Sequence, residues 1–206
     1  MSELLEVVDI WKTIQGEGPF VGHPAVFVRL AGCNLSCPWC DTDHQTGKQQ
    51  MSPQQICDRV DMLGDNARLV VVTGGEPFFQ DGVCDLLAML ALYHAVQVET
   101  NGTIYPLEKV PRSVKVVCCP KPESKVSPHW RYRVDAWKYL VQAGCLSGRG
   151  LPMDVEPPPG GVPVYLQPMD ERDDEKNRQN LEEAVRACLN CGYVLSVQLH
   201  KIIGVE

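Results

Sequence analysis

Three cysteines fall within eight residues of this 206-residue chain, in the stretch GCNLSCPWCDTDH: Cys33, Cys37 and Cys40, with His44 close behind. Thiols at this spacing serve three chemistries. A disulfide would need an oxidising compartment. A structural zinc site could take the three sulfurs and the His44 nitrogen. A [4Fe–4S] cluster normally takes four thiolates. Three would leave one iron open to a substrate or cofactor. Gly32 and Pro38 provide sharp turns, so the loop could wrap a cluster. The sulfurs alone do not choose among these readings.

Other unusual stretches recur along the chain: TGGEP at 73–77, ETNG at 99–102, CCPK at 118–121 and LQPMD at 166–170. Taken alone, TGGEP reads as a plain strand-to-helix turn. Its surroundings give it more meaning. The run 25–32 is β-branched and apolar, which predicts a buried strand. Residues 52–64 carry a Ser N-cap, Pro at the first helical position, Gln three residues after the Ser and a closing Gly, which predicts a helix. A strand at 68–77 runs into the Gly-rich turn, a helix is expected at 81–94, and a strand at 95–102. This rhythm predicts parallel strands with right-handed crossovers.

Beyond residue 110 strands are expected at 113–119, 135–141, 162–167 and 193–199. One strong helix remains, at 174–190, with Leu181, Ala184, Val185, Cys188 and Leu189 at helical spacing and Gly192 past its end. Residues 151–163 form a Pro/Gly loop. A complete eight-unit barrel takes ~250 residues. About seven strands with about three helices therefore predict an α/β fold of the incomplete, open TIM-like barrel type, as one domain over 1–206. The unusual stretches all lie at or just after strand ends and should converge on one face.

Composition narrows the setting. The chain is 44% hydrophobic and 22% charged, with 19 basic and 26 acidic residues and a formal net charge of −7. It has no Lys/Arg run, which argues against nucleic-acid binding. Its apolar runs fall short of a membrane span, and its acidic start is unlike a signal peptide. The expectation is a cytoplasmic protein whose ten cysteines are reduced thiols or metal ligands.

CxxxCxxC at Cys33–Cys40, with Gly74-Gly75-Glu76-Pro77 after the next strand, resembles the radical S-adenosylmethionine (SAM) superfamily. Zinc would leave TGGEP unexplained. The resemblance implies a [4Fe–4S] cluster on Cys33, Cys37 and Cys40, with SAM chelating the open iron. SAM cleavage then gives a radical that abstracts hydrogen from the substrate. Within the superfamily, the stretch 14–42, together with TGGEP, ETNG, CPK, QPMD and the HK near the chain end, resembles the 7-carboxy-7-deazaguanine synthases. That resemblance implies conversion of 6-carboxy-5,6,7,8-tetrahydropterin to 7-carboxy-7-deazaguanine with loss of ammonia, on the route to queuosine and related bases. It also implies Mg²⁺, an electron donor such as flavodoxin or ferredoxin, and a homodimer. A glycyl-radical activase and a non-catalytic zinc-stabilised module are the alternatives.

Matched position by position, Ile14, Gln15, Gly16 and Glu17 are expected at the substrate, with Thr73, His200 and Glu206, the last through its main-chain carboxylate. Arg29, a charge inside an apolar strand, suits the substrate carboxylate; a structural ion pair is its ordinary alternative. Trp39, Cys40, Asp41, Gly75 and Glu99 are expected at SAM, as are Cys119-Pro120-Lys121, where Cys replaces the family's Ser, and Gln167-Pro168-Met169-Asp170. Thr42 matches the Mg²⁺ ligand, with Asp43 a competitor. Cys57 and Cys84 read as core residues, and Cys188-x-x-Cys191 as helix-end thiols. The apolar tail after His200 is expected to pack, carried to the site face by the last strand.

Overall fold

The computed structural model describes residues 3–40, 42–107, 109–122 and 124–205. Among the described residues nine strands form one sheet in the order β3-β1-β2-β4-β5-β6-β7-β8-β9. β2 (Pro24–Leu30), β4 (Leu69–Gly74), β5 (Ala95–Thr100), β6 (Lys115–Cys118), β7 (Ala136–Val141), β8 (Val164–Pro168) and β9 (Val194–Leu195) run parallel. β1 (Leu5–Ile14) is antiparallel to β2, and β3 (Gln49–Met51) to β1. β3 and β9 do not pair with each other, so the barrel stays open.

Strands buried on both faces read as continuous apolar runs, and here the faces divide cleanly. On β2, Val26, Val28 and Leu30 are fully buried in the main core. Val70 and Val72 of β4 and Val96 and Val98 of β5 join them. Helices α1 (Pro53–Gly64), α2 (Val83–Leu90) and α3 (Asp174–Cys191) cover this face. Inside the barrel a small cluster of Ala25, Leu69 and Val71, with Phe20 and Phe27 against it, fills the lower part. Above it the inward positions turn polar: Arg29 on β2, Thr73 on β4, Gln97 and Glu99 on β5, Lys138 on β7 and Gln167 on β8.

The predicted punctuation holds at α1. Ser52 Oγ accepts from the Gln55 amide at 3.2 Å, while Gln55 Oε1 accepts from the Ser52 amide at 2.8 Å. Gly192 ends α3 in the left-handed region at φ 73°. Between β6 and β7 the described residues form no α-helix, and Trp130, fully buried in a short 3₁₀ turn, packs on Phe78 instead. Its indole N–H donates to the Ile104 carbonyl at 2.9 Å.

Four sequence expectations change. β1 and β3 were not foreseen, and the last strand covers two residues rather than 193–199. The chain then turns into α4 (Leu199–Ile203). The tail does not pack as expected, since Ile202 is 70% and Ile203 49% exposed. On α3, Ala184 and Ala187 are buried with Asn180, whereas Leu189 is 81% exposed. No helix among the described residues is long and apolar enough to cross a membrane.

Candidate active site

The strand-end motifs converge. A cavity of about 620 Å³ is lined by the cysteine loop, Thr73-Gly74-Gly75, Glu99-Thr100-Asn101, Cys119, Lys121 and residues 167–170. From the other side come Ile14, Gln15, Glu17, Arg29, His200 and Val205. Thr42 and all three loop cysteines face it. An adjoining cavity of about 500 Å³ shares Trp39, Cys40, Met169 and Asp170 and is lined by Pro120. Gly16 lines neither, because the C-terminal segment sits on it. Asp41 and Glu206 lie outside the described residues.

The loops are tied together chiefly through one buried carboxylate. Glu76 of GGEP is fully buried and accepts from Thr100 Oγ1 at 2.8 Å, from the Asn101 amide at 2.7 Å and from the Phe78 amide at 3.1 Å. Its own amide donates to Gly32 O at 2.9 Å. Asn34 of the cysteine loop bonds Asn101 and Thr103. The GGEP glycines are required by backbone approach. A Cβ on Gly75 would sit 2.1 Å from Gly32 O, and one on Gly74 2.2 Å from Leu30 O. Sequence reasoning placed Gly75 against SAM, yet its smallness already serves to seat GGEP on the cysteine loop.

Burial pushes Glu76 up to about 7, against the pull of its three donors. The folded state therefore holds this proton where the unfolded chain, at 4.5, has lost it. Stability should rise as pH falls from 7 toward 4.5, by on the order of 3 kcal/mol from this group. Glu76→Gln cannot titrate and turns an amide N–H toward Asn101 N–H. We expect it to lower Tm, with a larger deficit at pH 5 than at pH 7.5. A deficit that shrinks at pH 5 would contradict this assignment.

A second network crosses the barrel interior. Lys138, 5% exposed, pairs with Glu17 and lies 3.5 Å from Glu99 Oε2. Gln97 Nε2 donates to Glu99 Oε1 at 2.9 Å and Gln15 Nε2 at 3.3 Å. Gln198 Nε2 donates to Glu17 Oε1 at 2.9 Å. Burial alone would raise the Glu17 pKa, but the Lys138 charge and hydrogen bond hold it below the usual carboxylate range. Glu99, expected at SAM, is thus joined to the expected substrate segment. Nothing singled out Lys138 in the sequence beyond a charge inside an apolar strand.

The chain's end clasps that segment. Leu199 N donates to Gly16 O at 3.0 Å, and Gly18 N to Ser196 Oγ at 2.9 Å. A Cβ on Gly16 would lie 2.0 Å from His200 Nδ1, so only glycine admits the imidazole here. The Asp170 carboxylate takes Lys201 Nζ at 2.6 Å, the Arg172 amide and Asn177 Nδ2, and the Lys201 bond leads in holding its pKa far below normal. Its side chain therefore anchors the C-terminal helix.

Several polar groups in the cavity await a partner. Thr13 Oγ1, Arg29 Nε and Gln167 Oε1 are buried without a hydrogen bond. The Arg29 guanidinium stacks 4.7 Å above the Trp11 ring, and no described carboxylate pairs with it. The structural ion pair allowed by the sequence is absent among the described residues. Buried polar groups are rarely left unpaired in native proteins, so a polar, carboxylate-bearing ligand fits this wall.

The opposite wall suits a cluster. All ten cysteines are free thiols. Cys33 and Cys37 are half-buried with thiol pKa values raised by burial, and Cys40 is exposed. The GGEP turn backs the loop, leaving its thiol side on the cavity. Cys119 is buried and accepts from Lys121 Nζ at 3.2 Å in place of any hydroxyl contact. Asp43 Oδ1 is engaged by the Gln45 and Thr46 amides and closes the turn after the loop. Cys84 is buried and Cys57 packs against the core, as expected.

Residues 28–116 match the model of the Radical SAM superfamily. That match accounts for CxxxCxxC and GGEP together and implies a [4Fe–4S] cluster and SAM rather than zinc. The chain resembles a structure described as the crystal structure of QueE from Escherichia coli, with a TM-score of 0.75 over 96% of this chain and 95% of that one, at 24% identity. That likeness shows the fold. The chain is 38% identical over 212 residues to the 7-carboxy-7-deazaguanine synthase of Rickettsia prowazekii, spanning 98% of this chain and 89% of that protein. It is also 38% identical over 221 residues to the enzyme of that name from Rhodospirillum rubrum, spanning 99% and 94%. Identity at that level over almost the whole of both chains means that this protein belongs to the 7-carboxy-7-deazaguanine synthase family, within the radical SAM superfamily.

Proposed function

We propose that this enzyme is a carbon–nitrogen lyase converting 6-carboxy-5,6,7,8-tetrahydropterin to 7-carboxy-7-deazaguanine and ammonia, in the biosynthesis of queuosine and related bases. The observation that carries the reading is Arg29, a half-buried cation whose Nε is buried without a hydrogen bond and which has no counter-charge among the described residues, in the same cavity as the three-cysteine loop. A guanidinium takes a carboxylate bidentately, and the pterin carries one. The far edge of a pterin bears amino and ring N–H donors, which suit the Glu17 and Glu99 carboxylates. Gln15, Thr73 and His200 border the same space.

Cys33, Cys37 and Cys40 would hold the cluster. Trp39, Gly75, Lys121 and the 167–170 segment would border SAM. When bound, cluster and SAM supply the radical chemistry of the ring contraction. The chain's own residues orient the pterin between Arg29 and the two carboxylates and shield it from water. An electron must come from outside, from a small reductant protein such as flavodoxin or ferredoxin, and the enzyme works as a homodimer.

Thr42 is the proposed Mg²⁺ ligand. A single protein oxygen suits a metal that keeps waters and takes substrate oxygens. We expect Thr42→Ala to lower turnover about tenfold and to raise the Mg²⁺ needed for half-maximal rate, with SAM binding unchanged. A loss of SAM affinity with an unaltered Mg²⁺ response would place Thr42 elsewhere in the site. The function itself is tested by ammonia release. Anaerobic enzyme with SAM, reductant and Mg²⁺ should release one ammonia per carboxypterin consumed; consumption without ammonia would overturn the reading.

A further inference from the structure

We infer that Lys138 is a positioning residue for the substrate: its ammonium bridges Glu17 and Glu99 and holds both in place as acceptors facing the pterin's N–H edge. The inference rests on the pterin reading above. Lys138 comes from the middle of β7, Glu99 from β5 and Glu17 from the segment after β1, so the ion cluster spans the barrel. Each carboxylate is also gripped from outside, Glu17 by Gln198 and Glu99 by Gln97. Both border the cavity beside Arg29.

A buried lysine pointing into a barrel is costly unless paired. Lys138 cannot be serving the main core, because its neighbours Trp137 and Tyr139 face that core and Lys138 faces the other way. Its buried ammonium pairs with two carboxylates that both reach the cavity, and Gln15 ties one of them to the segment after β1. The arrangement fixes where a ligand donor must lie. It also sets two carboxylates against one ammonium at this end of the cavity, opposite the Arg29 cation. A zwitterion-like surface of that kind aligns a molecule with a carboxylate at one end and amino N–H groups at the other, in one orientation only.

The groups facing Glu17 are Lys138, Gln198 and, at longer range, His200, while Glu99, Cys119 and, as a like charge, Lys121 face Lys138. Removing the ammonium takes away the strongest opposition to burial and leaves only Gln198 and the more distant His200 against it, so the Glu17 proton should come off at higher pH. A protonated Glu17 loses acceptor capacity.

The test uses cluster-loaded enzyme at saturating SAM, with kcat and KM for carboxypterin measured from pH 6 to 9. Lys138→Met is expected to raise KM tenfold or more at pH 7, with the increase shrinking toward pH 9. Wild type should show no such slope, and any His200 contribution is common to both proteins. Lys138→Arg should restore the wild-type profile within about threefold. The spectral change of the cluster on adding SAM should be the same in all three. A purely structural lysine would instead lower cluster content, SAM response and kcat together, without a pH slope. Should Lys138→Met fail to fold, Glu17→Gln/Lys138→Met removes the unpaired charge and is expected to fold with a raised KM. A wild-type KM in either variant would overturn the inference. Wild-type enzyme inert on carboxypterin would sink the functional reading first, before any variant is compared.

Discussion

Replacing Cys33, Cys37 or Cys40 by Ala should abolish turnover and bleach the brown iron–sulfur colour, whereas Cys57→Ala, Cys84→Ala, Cys188→Ala and Cys191→Ala should keep both. Each loop thiolate is expected to hold one iron, and removing one uncovers a second iron to solvent and oxygen. Geometry separates the two sets. The first three line the cavity. Cys57, Cys84 and Cys188 pack with the core, and Cys191 is exposed beside Gly150. Cys84→Ala should cost about 1 kcal/mol of stability as a small cavity, with cluster content intact. Anaerobic reconstitution followed by iron and sulfide analysis checks the whole series. Full activity in any of the first three variants would refute the cluster assignment.

Arg29→Ala should raise KM for the carboxypterin about a hundredfold or more. Losing a charge-assisted, bidentate partner costs roughly 2–5 kcal/mol when the other charge stays buried. Trp11 lies under the guanidinium, 4.7 Å from Cζ to ring centroid, and helps to hold it in place. Arg29→Lys should recover only part of the affinity, because an ammonium cannot reproduce the fork or the stacking. SAM binding and cluster content should not change, since among the described residues the Arg29 side chain forms no hydrogen bond or ion pair with the cysteine loop or the GGEP turn. Equal kinetics in wild type and Arg29→Ala would remove the substrate carboxylate from this wall.

Much of this architecture was legible from local chemistry. The parallel strands 25–30, 69–74 and 95–100 announced themselves as valine-rich runs. Ser52, Pro53 and Gln55 announced α1. The convergence of the cysteine loop with TGGEP, ETNG and LQPMD followed from their places at strand ends. β1 was hidden for a physical reason. Its register shifts between Val7 and Asp9, so the buried residues run Leu5, Val7, Ile10 and the period-two pattern breaks. The last strand was overdrawn because 193–199 is rich in strand-favouring Tyr193, Val194, Leu195 and Val197, yet the chain must bend at Ser196 to reach Gly18. Isoleucines 202 and 203 looked like packing residues, and the helix they sit on turns them outward.

The site shows the same division. Arg29 stood out because a charge interrupted a run of valines. Lys138 interrupts a strand in the same way but lay between two aromatic residues that belong to the outer face, and its carboxylate partners are distant in sequence. Glu76 was visible as a motif, but its function as the clamp between GGEP and ETNG needed the three donors placed around it.

The central claim is that this cavity contracts a carboxypterin ring with SAM as a reusable cofactor. Mass spectrometry of an anaerobic reaction tests it most directly, with cluster-loaded enzyme, reductant, Mg²⁺, excess 6-carboxy-5,6,7,8-tetrahydropterin and less SAM than enzyme turnovers. The expected result is a product lighter than the substrate by the mass of one ammonia, formed in amounts exceeding the SAM supplied. Unchanged carboxypterin beside an intact, SAM-responsive cluster would contradict it.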